Sequence, residues 1–372
     1  MRIYLDYNAG APLHPAARAA MADALDLAGN PSSIHADGRR ARARLEAARR
    51  QLAALFGAPD DARDRIVLTG SGSEAIHLAV AGLAPAGAAV VVPATDHPAM
   101  HGAAAAVAGP RVATIAVDAD GVIDLAAWTA ALASGPAVAG FAAVNHELGT
   151  IADAAALATA ARRAGARVVI DAVAAAGRIA LAPLTELADA IAIASHKLGG
   201  PAGVGALWLA PGVTLAPLIP IGHQERGRRP GTENLLGVVG MGAAAAAVDL
   251  AAAPAVARRA ARLEAAIAAI PGATIHGVGA PRTGATINAR FAGVRGETLV
   301  MALDLEGVAA SSGAACSSGS TAPSPVLRAL GLDDEAARGG LRLSLGPATT
   351  DAEIDAVIAR LPALAARARA AG

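Results

Sequence analysis

Between Arg65 and about Leu209 the chain lays out seven short apolar runs separated by turns and Ala-rich helical stretches. The runs are Ile66-Val67-Leu68, Ala89-Val90-Val91-Val92, Val112-Ala113-Thr114-Ile115, Val138 to Val144, Val168-Val169-Ile170, Ile191-Ala192-Ile193 and Gly205 to Leu209. None alternates apolar with polar residues, so each expects burial on both faces, as in a largely parallel sheet covered by helices. The pattern predicts an α/β protein with a seven-stranded, mostly parallel sheet flanked by helices. Ligand chemistry is expected at the carboxyl ends of its strands. Hydrophobic residues are 54% of the chain but aromatics only 2%, so the core must be built from Ala, Val, Leu and Ile.

The style changes near Val256. An Ala/Arg helix leads to Pro271-Gly272, then Thr286-Ile287-Asn288, a helix from about Thr298 to Leu305 and the strand Leu341-Arg342-Leu343-Ser344. This reads as a smaller α+β domain. We therefore expect a large ligand-binding domain over 15–255, and a small domain of 1–14 and 256–372 that carries the single cysteine, Cys316.

With 31 basic and 31 acidic residues, the chain offers no broad electrostatic attraction to nucleic acid or anionic membrane. One cysteine excludes an internal disulfide framework, and Met1 to Asp6 carries no signal-peptide pattern. The longest apolar stretch, Leu78 to Thr95, is broken by Gly82, Pro85, Gly87 and Pro93, so it does not read as a membrane span. These features predict a cytoplasmic protein. Six arginines between Arg39 and Arg50 read as a solvated helix face, with a docking surface for an acidic partner as the alternative.

Some residues stand where chemistry would. Lys197 follows an apolar strand, where a desolvated amine could form a Schiff base or simply cap the strand. Asp171 ends another strand, either capping a helix or keeping a pyridine nitrogen protonated. Thr69-Gly70-Ser71-Gly72-Ser73-Glu74 joins a strand to a helix whose first N–H groups suit a phosphate, although glycine turns are common. His97, after the strand Val90-Val91-Val92, would stack on a planar ring or merely pack at a turn. Arg342, in an apolar strand, expects an anionic partner, either a substrate carboxylate or an internal acid. Cys316 lies in the small-residue run Ser311 to Ser320, where it suits a sulfur acceptor.

In order, Tyr4-Leu5-Asp6-Tyr7, Gly29-Asn30-Pro31-Ser32-Ser33, Asp96-His97-Pro98, Glu147-Leu148-Gly149, His196-Lys197, Glu225-Arg226-Gly227, Pro230-Gly231-Thr232-Glu233-Asn234, Ser311 to Cys316 and Val326 to Leu332 span nearly the whole chain. Together they resemble the cysteine desulfurases, pyridoxal-phosphate enzymes of fold type I in the class V aminotransferase group. The Cys segment resembles that of the long, mobile-loop type that serves iron–sulfur cluster assembly. The resemblance implies that Lys197 carries pyridoxal 5'-phosphate covalently and shuttles a substrate proton. It implies further that Asp171 pairs with the ring nitrogen and that His97 stacks on the ring. Gly72, Ser73 and His196 would hold the phosphate, joined by Thr232 from the other subunit of a homodimer. Arg342, helped by Asn30, would clamp the carboxylate of L-cysteine. Cys316 would take the sulfur as a persulfide, leaving alanine, and pass it to an acceptor or iron–sulfur scaffold protein.

The chain departs from that pattern in the expected cofactor pocket. His146 stands where the family's second Asn contacts the phenolic oxygen, and it could donate from its ring instead. Ala174 replaces a Gln that bonds the same oxygen, and Ala194 replaces a phosphate-binding Ser, with Ser195 beside it as the expected substitute. Ile221-Gly222-His223 replaces a triple glycine, and Ala9-Gly10-Ala11 replaces Ala-Thr-Thr. Three functions compete on these grounds: a desulfurase of weakened activity; a selenocysteine lyase or aminotransferase of the same fold; and a non-catalytic scaffold or regulatory subunit. Transamination gives Cys316 no role, which favours the first.

Overall fold

The structure is a computed structural model that describes residues 2–85, 87–133, 137–312 and 322–370. In chain order its strands are β1 (Ile3–Tyr4), β2 (Ile66–Thr69), β3 (Ala89–Pro93), β4 (Val112–Ile115), β5 (Ala137–Ala142) and β6 (Arg167–Asp171). They are followed by β7 (Ala190–Ala194), β8 (Gly205–Leu209), β9 (Ala273–His276), β10 (Thr286–Phe291), β11 (Val308–Ala309) and β12 (Gly340–Ser344).

The seven expected runs assemble into one sheet of order β2-β8-β7-β6-β5-β3-β4. Strands β4, β3, β5, β6 and β7 pair in parallel, whereas β8 runs antiparallel to both β7 and β2. Consecutive apolar residues serve opposite faces, which is why the runs show no alternation. Val91, Val168 and Ile191 pack with the helices Ala36–Leu55 and Ala154–Arg163, while Val90, Val169 and Ala192 pack under Gly72–Leu83 and Pro98–Ala108. Alanine facing alanine lets these helices lie close. Trp128 and Trp208 fill what bulk remains on one face.

One expected strand ends early. The run to Val144 stops being sheet at Ala142, because Val144 turns away to bridge Ile151 in antiparallel sense. That reversal creates a tight turn, Asn145 to Thr150. The Asn145 Oδ1 holds it by accepting from the N–H groups of Glu147 and Leu148, both at 2.9 Å.

A second core contains Ile3 and Leu5, then residues from Val256 to Ala368. It packs the helices Ala253–Ala268, Gly296–Leu305 and Asp351–Ala370 on an antiparallel sheet of order β12-β10-β9, beside the parallel pair β1-β11. The amino-terminal segment links the cores. After β1 it bridges β12 at Ser344, then runs to the end of β7, where the Ala11 N–H donates to the His196 carbonyl at 2.8 Å. Among the described residues no single helix is long and apolar enough to cross a membrane.

Candidate active site

Three strand ends converge where the amino-terminal segment crosses. Strand β7 ends at Ala194, and a single turn, Ser195–Lys197, presents the lysine. Its amine donates to the main-chain carbonyl of Asn8. Asn8 is itself buried and fixed from three sides: its N–H donates to Ser344 Oγ at 2.8 Å, and its side-chain amide donates to the His146 carbonyl at 2.9 Å and to Thr286 Oγ1 at 3.0 Å.

Asp171 closes β6 next door. One of its oxygens accepts from the Val173 N–H at 2.8 Å. Burial pushes its carboxyl up to about 6, against the opposing pull of that N–H and of Lys197. Asp96, ahead of the helix Pro98–Ala108, is also buried, and its Oδ1 accepts from the Ala142 N–H at 3.3 Å. Burial and the neighbouring Asp171 hold its proton well above the usual carboxylate range. Composition drew no attention to Asp96; its place beside His97 was the available signal.

His97 caps the helix Pro98–Ala108 by accepting from the Ala99 N–H at Nδ1, 3.0 Å away. Burial, then Lys197 and two other histidines, lower its imidazole to about 4, so it is neutral at physiological pH. The ring of His146 stands edge-on to it, with centroids 5.0 Å apart and planes at 72°. His146 is held well below the ordinary value by burial, His97, Arg342 and Lys197. Two neutral imidazoles thus line one wall, each keeping one donor and one acceptor nitrogen.

The opposite wall is the start of the helix Gly72–Leu83. Ser71 caps it by accepting from the Glu74 N–H at 3.0 Å, which leaves the Gly72 and Ser73 N–H groups ahead of the first intrahelical bonds. A Cβ on Gly72 would lie 2.8 Å from Val173 Cγ2 and 3.0 Å from Ala194 Cβ, so packing demands glycine here. The same contact places Ala194 on the side facing this helix start. Ser195 is fully buried, its unpaired hydroxyl lying against Gly200 rather than toward Gly72. His196 is half-buried, its imidazole lowered by burial and by Lys197.

Arg342 reaches the site from β12 and is 2% exposed. It pairs with Asp6 through Nη2 at 2.9 Å and donates to the His146 carbonyl through Nη1 at 3.2 Å, while its Nε has no partner. Of the two anionic partners that the sequence allows, the structure shows the internal acid, Asp6. Arg178 adds a second, half-buried cation, lowered to about 10 by desolvation and by Arg342; its Nη1 donates to the Ala174 carbonyl at 3.1 Å. Glu147, 1% exposed, accepts from Ser324 Oγ at 2.7 Å and lies 3.8 Å from His146 Nε2.

The cluster therefore joins Lys197, Asp171, His97, His146 and Arg342, together with Asp6, Asn8, Asp96, Glu147 and Arg178, whose roles no single motif announced. Asn30 and Thr232 are both exposed, and Asn30 spends its Oδ1 on the Ser32 N–H at 2.8 Å. Among the described contacts neither touches the cluster. Cys316 lies outside the described residues.

A basic end-of-strand amine, a buried acid, a neutral imidazole wall and a helix start come together at these strand ends. The aminotransferase class-V family pattern matches residues 3–357. The cysteine desulfurase of Klebsiella pneumoniae is 39% identical over 375 residues, covering 99% of this chain and 94% of that protein. The chain belongs to the cysteine desulfurase family of class-V aminotransferases. The cysteine desulfurase of Cereibacter sphaeroides is 40% identical, covering 99% of this chain and 97% of its own length. A NifS-like protein from Rickettsia africae superposes with a TM-score of 0.90 at 26% identity, over 98% of this chain and 99% of its own. The S-sulfonic acid form of the cysteine desulfurase CsdA from Escherichia coli gives 0.82 at 25% identity, over 99% and 95%. The family consists of pyridoxal-phosphate enzymes, and the seven-stranded sheet described above is that of fold type I.

Proposed function

We propose that this protein is a pyridoxal-phosphate-dependent cysteine desulfurase. It would take sulfur from L-cysteine onto Cys316 for transfer to a sulfur-accepting or iron–sulfur scaffold protein. The observation that carries the reading is the convergence of Lys197, Asp171 and His97 with the buried fork of Arg342. The residues suit the cofactor chemically. Asp171 is a buried carboxylate lacking a full cationic partner, which a protonated ring nitrogen would supply. The Gly72 and Ser73 N–H groups and His196 suit its phosphate, and Lys197 suits its covalent attachment. Bound there, the cofactor supplies an electron sink for the substrate carbon skeleton.

The chain's own groups do the rest. Arg342 offers its unpaired Nε to a substrate carboxylate, its other nitrogens being held by Asp6 and His146. Lys197, released from attachment, carries the substrate's α-proton. His97, neutral at working pH, would pack against the cofactor and could accept or return a proton. The Cβ–S bond of L-cysteine breaks as an S–S bond forms at Cys316. The thiol proton leaves Cys316, the carbon takes up a proton, and the products are alanine and an enzyme persulfide.

A homodimer completes the reading, because Thr232 sits on an exposed segment suited to a neighbouring subunit's phosphate site. The two cores are read as a large domain over 15–255 and a small one of 1–14 and 256–372. The protein acts in the cytoplasm in this account. Weakened activity is favoured by Ala174 and Ala194, whose methyl groups offer no hydrogen bond to the cofactor. The reading is tested by alanine release from L-cysteine, with and without pyridoxal phosphate, in wild type, Lys197→Ala and Cys316→Ala. Release must depend on the cofactor and both residues. Equal alanine release by wild type and Cys316→Ala excludes the persulfide route, and selenocysteine turnover that persists in that variant supports the lyase reading.

A further inference from the structure

Glu147 has more burial than its structural duties explain. The main chain of its turn is already pinned without the carboxyl group. The Glu147 N–H donates to Asn145 Oδ1 at 2.9 Å, and its carbonyl accepts from Asn288 Nδ2 at 3.4 Å. The His146 carbonyl accepts from Asn8 and Arg342, at 2.9 and 3.2 Å. The carboxyl serves side chains only. Its Oε2 accepts from Ser324 Oγ at 2.7 Å, and that hydroxyl is fixed in turn by accepting from the Leu327 N–H at 3.1 Å. Both Glu147 and Ser324 are 1% exposed. Oε1 is left facing His146 Nε2 at 3.8 Å.

We infer that Glu147 is a positioning residue acting through His146: Ser324 locks one carboxyl oxygen so that the other fixes the tautomer and tilt of the imidazole beside His97 and Lys197. This deepens the desulfurase reading and rests on it. The other groups facing His146 are basic: His97 at the start of its helix, Lys197 after β7, and Arg342 on β12. A carboxylate on the Nε2 side favours the Nε2–H tautomer and leaves Nδ1 as an acceptor. His146 would then meet the reacting groups as a hydrogen-bond acceptor, where an Asn could also donate.

The same geometry gives a pH signature. Burial raises Glu147 to about 7, partly offset by Ser324 and Arg342, so the carboxylate that orients His146 forms as pH rises through that value. His97, at about 4, titrates well below it.

The test uses the pyridoxal-phosphate-loaded protein with ¹⁵N-labelled histidine, the His146 ring signals being assigned by their loss in His146→Asn. Wild type above pH 7 should show the Nε2–H tautomer, Ser324→Ala should weaken the preference without abolishing it, and Glu147→Gln should lose it. In parallel, alanine formation from L-cysteine should have an acidic limb near pH 7 that Glu147→Gln removes. That variant should lower kcat about tenfold with little change in KM, and Glu147→Asp should restore part of the loss. Unchanged ring signals and an unchanged pH profile in Glu147→Gln overturn the proposal. So does Ser324→Ala reproducing every Glu147→Gln effect, since the carboxyl would then only dock the helix Pro325–Ala329. A wild type that makes no alanine but shows the tautomer change sinks the desulfurase reading while supporting the positioning role.

Discussion

The Lys197 amine rests on the main-chain carbonyl of Asn8, so the residue expected to bond the cofactor is held by the segment that joins the two cores. Exchanging the contact with Asn8 for a covalent partner has a modest net cost, because a typical hydrogen bond contributes only about 1 kcal/mol. Lys197→Ala should therefore leave the fold intact while ending covalent attachment of pyridoxal phosphate. Borohydride treatment followed by mass analysis should find the cofactor fixed to wild type but not to the variant, and alanine formation should fall by roughly a hundred- to ten-thousandfold.

Arg342 and Asp6 form a nearly buried pair at 2.9 Å, with side chains 2% and 18% exposed. Removing the cation strands the acid, while the His146 carbonyl keeps its bond from Asn8. Arg342→Ala should destabilise the protein by about 3 kcal/mol, measured by urea unfolding. Arg342→Lys retains charge but loses the planar fork. It should raise the KM for L-cysteine more than it lowers kcat.

A second buried pair lies away from the site. Arg49 grips Glu225 through two bonds of 2.7 Å each, and Glu225 also accepts from the Leu68 N–H at 2.8 Å. Glu225 and Arg226 adopt left-handed φ values of 49° and 57°, a conformation the fork helps to hold. Arg49→Ala should cost about 3–5 kcal/mol of stability and loosen the segment leading to Thr232. Calorimetry and hydrogen exchange over residues 219–231 would show it.

Glu147 links stability to pH with a definite sign. Its carboxyl keeps its proton in the folded state up to about 7, against 4.5 for an ordinary glutamate. Its contribution is therefore fully present below the unfolded value and is lost as pH rises through the folded one, by roughly 3 kcal/mol in all. The stability difference between wild type and Glu147→Gln should fall across that window. A flat difference would contradict the buried acid.

Most of the sheet was legible because strands covered on both faces read as unbroken apolar runs. The exception, Val144, was misread because a residue leaving the sheet for a bridge to Ile151 stays as apolar as one within it. Strand-end residues such as Asp171, His97 and Lys197 were recoverable for the same reason: once strands are known, their ends are. Asp6 and Asn8 carry no role in the sequence reading, since each meets its partner more than a hundred positions away in the chain, and the Glu147 carboxyl is held by the equally distant Ser324. Ser195 stands beside Ala194 in sequence, but it opens the turn that follows β7, and its hydroxyl lies against Gly200.

The most direct measurement follows the sulfur. Protein loaded with pyridoxal phosphate is given one equivalent of ³⁵S-cysteine without reductant, then alkylated, digested and mapped, with alanine counted in parallel. The account predicts alanine together with label on the peptide containing Cys316, released by thiol and absent in Cys316→Ala. Alanine formed without label on that peptide, and at the same rate in Cys316→Ala, would contradict it.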